Sequence, residues 1–302
     1  MGDLTCHKLE HVNRIAALPM FKVFRPSPVL AHAVDSILDL DLPDAGAARA
    51  LTIKALPSTT PALAVIYRRG TQADVHWTNN STSFGHNGDK HTASKLETGI
   101  VTTRPKGPIG SFIIRLKPEA GTRVLGACMQ EFADRRVELG DIFSVGEVSL
   151  LEEMLAEAKD SAERVACVES FLLRQVREAQ PDPVVSRAVS LLRKVPSLTV
   201  RQLALKLEIS EVHLRRRFKA TAGSTPKQFA RVARIEKLLV ARRTGLAWAE
   251  AACACGFQDQ AHMIHDFNLI AGQSPDDFLR KAWLVPGMET LSVYQSRQNA
   301  VT

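Results

Sequence analysis

Ser210-Glu211-Val212-His213-Leu214-Arg215-Arg216-Arg217-Phe218-Lys219 decides the reading of the C-terminal third of this chain. Ser210 is a residue type that caps a helix. Leu214 and Phe218 lie i,i+4 and turn inward together, so Arg215, Arg216 and Lys219 are left pointing out. Upstream, Thr199 and Gln202 are spaced as a capping box, and Leu203, Ala204 and Leu207 give that earlier helix a buried stripe. Glu208-Ile209 is all that connects the two. Two short helices, a tight turn and a basic outer face on the second helix are the parts of a helix-turn-helix. The residue types suit a duplex. Arginine donates two parallel hydrogen bonds to guanine in the major groove, and lysine or arginine beside it neutralises phosphate. The competing reading is a solvated basic helix of an enzyme.

A second copy follows. At an offset of 49 residues His213-Leu214 aligns with His262-Met263, Phe218 with Phe267, Ala222-Gly223 with Ala271-Gly272, Pro226 with Pro275 and Phe229 with Phe278. Trp248 to Cys255 reads as a helix ended by Gly256-Phe257, and Gln258 to Phe267 as the helix after it. Met263 and Phe267 repeat the inward pair. Gln260 and His265 are in reach of bases, and glutamine pairs bidentately with adenine. Asp259 and Asp266 are wrong for phosphates, so this copy is expected to add less electrostatic affinity. Between the copies, Thr225 caps and Pro226 starts a helix running to about Arg243. At 1.5 Å per residue it is a rod of roughly 27 Å, able to hold two recognition helices near one ~34 Å turn of DNA apart.

Charge is distributed to match. Residues 181–282 carry 17 Lys and Arg against 9 Asp and Glu; the remainder carries 22 against 23, although the whole chain is +7. A basic module beside a neutral one suits a polyanion partner. The length of 302 residues makes two domains the expectation, and 45% apolar with 24% charged residues is the balance of a globular protein rather than a fibrous or disordered one. No apolar run approaches a membrane span, and no apolar signal core follows the first residues, so a cytoplasmic location without membrane is expected. Cysteines at 6, 128, 167, 253 and 255 make neither a disulfide framework nor a zinc site. Cys253 and Cys255 read as small residues of a helix.

Residues 1–147 alternate short apolar runs with Gly, Pro, Asn and Ser. Ala62 to Tyr67, Ala73 to Trp77 and Gly110 to Leu116 read as strands of a barrel or sandwich. Over 148–180 the period becomes helical: Leu151, Met154, Leu155 and Ala158, then Val165, Val168, Phe171, Leu172 and Val176. These two amphipathic helices pack on the β-rich part, or in part form a dimer contact. Residues 181–285 are the helical module, and 286–302 read as a loose tail. The fold class is α+β: a β-rich N-terminal domain with a helical hairpin, then an all-α double helix-turn-helix.

The tract 183–282 resembles the DNA-binding domain of AraC/XylS-type bacterial transcription regulators. Ser210, His213-Leu214, Phe218-Lys219, Gly223 and Pro226 carry the likeness. So, more specifically, do Gly256-Phe257-Gln258-Asp259-Gln260, His262, Phe267, Gly272-Gln273-Ser274-Pro275 and Phe278. The resemblance implies base and backbone contacts from Val212, Arg215 and Arg216 in copy one and Gln260, Ala261 and His265 in copy two. The family usually has arginine where this chain has His265. The phrases around Phe112 to Gly121 and Phe132 to Asp141 are similar to a divergent sensor domain of such regulators, which binds an effector, dimerises, or both. Double-stranded DNA, a small-molecule or nucleotide effector, a second copy of the chain and, for an activator, RNA polymerase are the partners implied.

Within 1–147, Arg68-Arg69-Gly70 precedes Asn80-Ser81-Thr82-Ser83-Phe84-Gly85. Paired guanidinium groups near a polar turn can grip an anion. The arrangement is loosely similar to PilZ domains, with Asn80, Thr82 and Gly85 on the turn and Arg68 and Arg69 off the usual spacing. That resemblance implies cyclic di-GMP as effector; the alternatives are a non-nucleotide effector, or arginines that are merely solvated. No other cofactor and no metal is expected, and His76, His86 and His91 read as ordinary histidines. An enzyme fused to such a module, for instance an alkyl-transfer repair protein, would need a thiolate zinc site, and Cys6 and Cys128 are too few. No phosphate loop or nucleophile elbow is present, so the reading is a regulator without catalytic residues.

Overall fold

The computed structural model describes residues 21–68, 73–78, 83–87, 92–94, 100–126, 137–177, 181–281, 283–285 and 288–295. Among them are strands β1 (Phe21–Phe24), β2 (Val34–Leu42), β3 (Leu51–Ala55), β4 (Ala62–Ile66), β5 (Ala73–Thr78), β6 (Ser83–Asn87), β7 (Thr92–Ser94), β8 (Ile100–Pro105), β9 (Ile109–Leu116), β10 (Val137–Glu138), β11 (Trp283–Val285) and β12 (Met288–Gln295). They form two antiparallel sheets, ordered β1-β2-β9-β4-β7-β10 and β11-β12-β3-β8-β5-β6.

The period-2 alternation of a strand explains the layering. In β9, Phe112, Ile114 and Leu116 point to one face. There they join Leu151 and Leu155 of α3 (Val145–Glu157, after the short helices α1, Ala45–Arg49, and α2, Gly121–Leu125) and Val168, Phe171 and Leu172 of α4 (Ser161–Gln175). Ile109 and Ile113 point the other way, to Leu38, Leu40 and Leu42 of β2 and Leu51 and Ile53 of β3. The result is a helix layer on one sheet and a second sheet behind it. Ser144 caps α3, and Asp160 caps α4 through the amides of Ala162 and Glu163 at 2.8 and 2.9 Å. The α+β class is as the sequence implies.

Residues 288–295 of the expected loose tail are a strand. Strand β12 pairs with β3 from Gln295 opposite Leu51 to Leu291 opposite Ala55, and β11 pairs with β12. The chain therefore returns from the helical module to the N-terminal sheet. An otherwise open edge of β3 needs backbone partners, and a pairing across some 240 residues of sequence leaves no local signal at residues 286–302.

The helical module comprises α5 (Pro183–Lys194), α6 (Val200–Lys206), α7 (Glu211–Ala222), α8 (Pro226–Arg243), α9 (Trp248–Ala254), α10 (Gln260–Ala271) and α11 (Pro275–Lys281). Its core holds Leu214, Phe218, Phe229, Met263, Phe267 and Phe278, all without solvent exposure, and also Leu56 from the N-terminal half. The turn Pro118–Ala120 packs on α5 and α7, and α2 packs on α7. The two halves are thus joined along a continuous seam.

Candidate nucleic-acid interface

Each helix-turn-helix is built as its sequence dictates. In copy one, Thr199 and Gln202 form the reciprocal capping box on α6. Ser210 accepts from the His213 amide at 3.2 Å to start α7, and Gly223 ends α7 with a positive φ. Phe218 meets Phe229 of α8 edge-on at 5.4 Å. In copy two, Asp259 accepts from the His262 amide at 2.7 Å to start α10, and Gly272 ends it the same way. Phe267 meets Phe278 at 5.5 Å.

The two turns differ by one residue. Leu207 and Ile209 donate to carbonyls of α6, with Glu208 between them at a φ of 56°. The counterpart of Glu208 is Gly256 at 79°, because Ile209 donates to Ala204 as Phe257 donates to Ala252. First helices therefore align at an offset of 48 and second helices at 49. Gln258 is the extra residue, a shift that sequence alignment on the second helices conceals.

The outer faces carry the expected readers. Val212 is 78% exposed, and His213, Arg215, Arg216 and Lys219 are exposed around it. Arg217 is not part of that face: its Nε and Nη2 donate to Asp182 at 2.8 and 2.7 Å, fastening α7 to the start of α5. Burial pushes the Asp182 carboxyl up, but Arg217 and the Val184 and Val185 amides outweigh it and hold the group below the usual range. Arg215 Nη2 donates to Glu211 Oε2 at 2.9 Å.

On copy two, Gln260, Ala261 and His265 are exposed along one side of α10. The expectation that both aspartates oppose phosphate is corrected for Asp266. It is 2% exposed and turned inward, bonded by Arg234 Nη2 at 3.0 Å, with Arg231 Nε at 3.3 Å and His262 Nε2 at 3.7 Å. Arg234 also lies over the Phe257 ring at 5.0 Å. A carboxylate four residues after His262 falls on the helix flank that meets α8, where two arginines neutralise it. Asp259 is tied up as the cap.

Of the expected N-terminal arginine site, the structure describes only Arg68 and Gly85. Arg68 is ion-paired with Asp41, which also meets Arg164 Nη1 at 3.4 Å. Arg164 in turn stacks on Tyr67 at 4.5 Å, and the Tyr67 hydroxyl donates to the buried Asp39 at 2.7 Å. Arg68 thus joins Asp41 and Arg164 in a half-buried charge network, whereas Gly85 pairs with His76 in the other sheet. Arg69, Asn80 and Thr82 lie outside the described residues. Burial and Asp39 together push the Tyr67 phenol well up.

Sequence reasoning missed a cavity of about 460 Å³ at the seam. Its lining includes the polar residues Thr59, Arg115, Arg193 and Glu236 and the apolar Val240 and Cys255. The lining is scattered from residue 35 to 255, so no local pattern marks it. Among the described residues no group of three His, Cys, Asp or Glu can hold a metal, and no helix is long and apolar enough to cross a membrane.

Residues 203–281 match the family model described as a helix-turn-helix domain. A "putative AraC-like transcription regulator" of Streptomyces antibioticus is 34% identical over 100 residues, which are 32% of this chain and 33% of that protein. The match thus spans about a third of the length of this curated relative. Among solved structures, ToxT from Vibrio cholerae is similar over 86% of this chain and 98% of its own, with 11% identity and a TM-score of 0.48. The C-terminal domain of AraT, a response regulator from Geobacillus stearothermophilus, is similar over 34% of this chain and 88% of its own, with 28% identity and a TM-score of 0.33.

Proposed function

We propose that the chain is a sequence-specific regulator of transcription of the AraC/XylS type that binds double-stranded DNA through α7 and α10. The observation that carries this reading is the paired presentation: two capped helices, each with an apolar back in one core and an exposed polar front, joined by the 18-residue α8. Contacts from Val212, Arg215, Arg216 and Lys219 to one major-groove segment and from Gln260, Ala261 and His265 to the next are the mode this supports. Selection from a random duplex pool, followed by anisotropy titration at five salt concentrations, tests it. The expected result is a bipartite site about one helical turn from centre to centre and a linear fall of log K with log salt. No enrichment, with salt-independent or absent binding, overturns it and favours a protein-binding adaptor. A homodimer, with RNA polymerase as partner of an activator, belongs to the same proposal.

The seam cavity supports a second element, control by a small-molecule effector. A ligand there touches the N-terminal half and α8 at once, and binding to the native state raises its stability by mass action. A thermal-shift panel of nucleotides, sugars and aromatic acids tests it; the cyclic di-GMP arm is the one that Arg68 pairing weighs against.

A further inference from the structure

Glu211 is the only acidic side chain on a helix whose outward residues are otherwise cationic or neutral. It sits at the first position of α7, the end that meets base edges in a helix-turn-helix. Facing a polyanion there costs affinity, because each added negative charge opposes the counterion release that drives binding. Capping does not require it, since Ser210 already holds the His213 amide. What it does is hold Arg215: Oε2 and Nη2 are 2.9 Å apart, with the two side chains 40% and 53% exposed.

We propose that Glu211 and Arg215 read one G·C step as a unit, with Glu211 as a specificity-determining residue; this rests on the DNA-binding reading above. A guanidinium has five N–H donors in a rigid fork, and Glu211 engages one nitrogen. The rest of the fork remains for guanine O6 and N7. The Glu211 carboxylate keeps acceptor capacity for the N4 amino group of a cytosine, which is the base edge that suits an acidic side chain. Held this way, Arg215 loses less rotamer freedom on binding a base. Without Glu211, the same arginine swings freely and serves any phosphate within reach. Glu211 therefore lowers general affinity and raises discrimination, and these two effects have opposite signs.

That opposition gives the test. Full-length wild type, Glu211→Ala, Glu211→Gln, Arg215→Ala and the Glu211→Ala/Arg215→Ala pair are titrated against the selected duplex, a scrambled duplex, and duplexes with each G·C pair of the first half-site replaced. Glu211→Ala is expected to bind scrambled DNA about twofold to fivefold more tightly. Its preference for the selected duplex is expected to fall about tenfold, with the loss confined to one G·C step. The double variant is expected to lose little more discrimination than Arg215→Ala, the non-additivity of one coupled unit. Equal gains on selected and scrambled DNA, with every base-pair penalty unchanged, overturn the proposal and leave Glu211 as a repulsive charge that only supports the helix. Wild type without preference between the two duplexes overturns the DNA-reading assignment itself, a different result. A melting temperature for each variant within about 2 °C of wild type shows that the fold is intact.

Discussion

Glu236 of α8 accepts hydrogen bonds from both the amide and the hydroxyl of Thr59, at 2.9 and 2.7 Å, across the seam between the sheets and the helical module. Ser58 adds a third donor at 2.9 Å, and Arg115 stands 4.0 Å away. Thr59 is 1% exposed, and Glu236 is the acceptor of its amide. Glu236→Ala is expected to lower stability by about 3 kcal/mol, combining lost charged hydrogen bonds with an orphaned buried donor. Thr59→Val keeps the amide bond and is expected to cost about 1 kcal/mol. Urea unfolding of the three proteins checks the order.

The three consecutive arginines of α7 divide into two kinds. Arg215→Ala and Arg216→Ala are expected to weaken binding to a selected operator by about 1–3 kcal/mol each, the range of a good base contact. Arg217→Ala is expected to leave the operator preference unaltered and to lower stability, because its partner is Asp182. Anisotropy titration beside urea unfolding separates the two.

The second motif lacks a guanidinium on its exposed side. His265→Ala is accordingly expected to cost less operator affinity than Arg216→Ala, since a bidentate arginine contact is the stronger of the two. The reverse order in one gel-shift series would show that α10 dominates recognition.

Glu208 adopts the left-handed conformation for which the second copy uses Gly256. A side chain there is strained by about 1–2 kcal/mol, and glycine returns part of that gain through its looser unfolded chain. Glu208→Gly is expected to stabilise the protein by about 1 kcal/mol in denaturant unfolding, with DNA affinity unchanged.

Asp182 has its carboxyl held below the usual range in the folded state. A depressed carboxylate adds stability above its unfolded pKa of about 4, and that stability is lost as pH falls through the folded value. Unfolding midpoints followed from about pH 7 to pH 3 are expected to drop less steeply for Asp182→Asn than for wild type. At neutral pH the variant is expected to start lower, having lost the Arg217 ion pair.

The helix-turn-helix pair was legible in the sequence because every signal in it is local. Ser210 caps an amide three residues away, and Leu214 and Phe218 share a face by helical period. Thr225 and Gln228 close a capping box that fixes the start of α8. Strands such as Ala62–Ile66 and Ile109–Leu116 were legible through alternation between turns. The exposed positions of Val212, Arg215, Arg216, Gln260, Ala261 and His265 follow from those periods, with no knowledge of the rest of the chain.

What only the tertiary structure decided is which charges are still available. Arg68, Arg217 and Asp266 look alike in sequence to Arg215 or Asp259, yet each is ion-paired with a partner 27 to 35 residues away. Strand β12, the insertion of Leu56 into the helical core and the cavity beside Glu236 depend on contacts across more than 100 residues. Local propensity reports the conformation a segment prefers for itself. Pairing of buried charges, edge strands and seams is set by what the folded chain brings alongside, and a single side chain carries no mark of that partner.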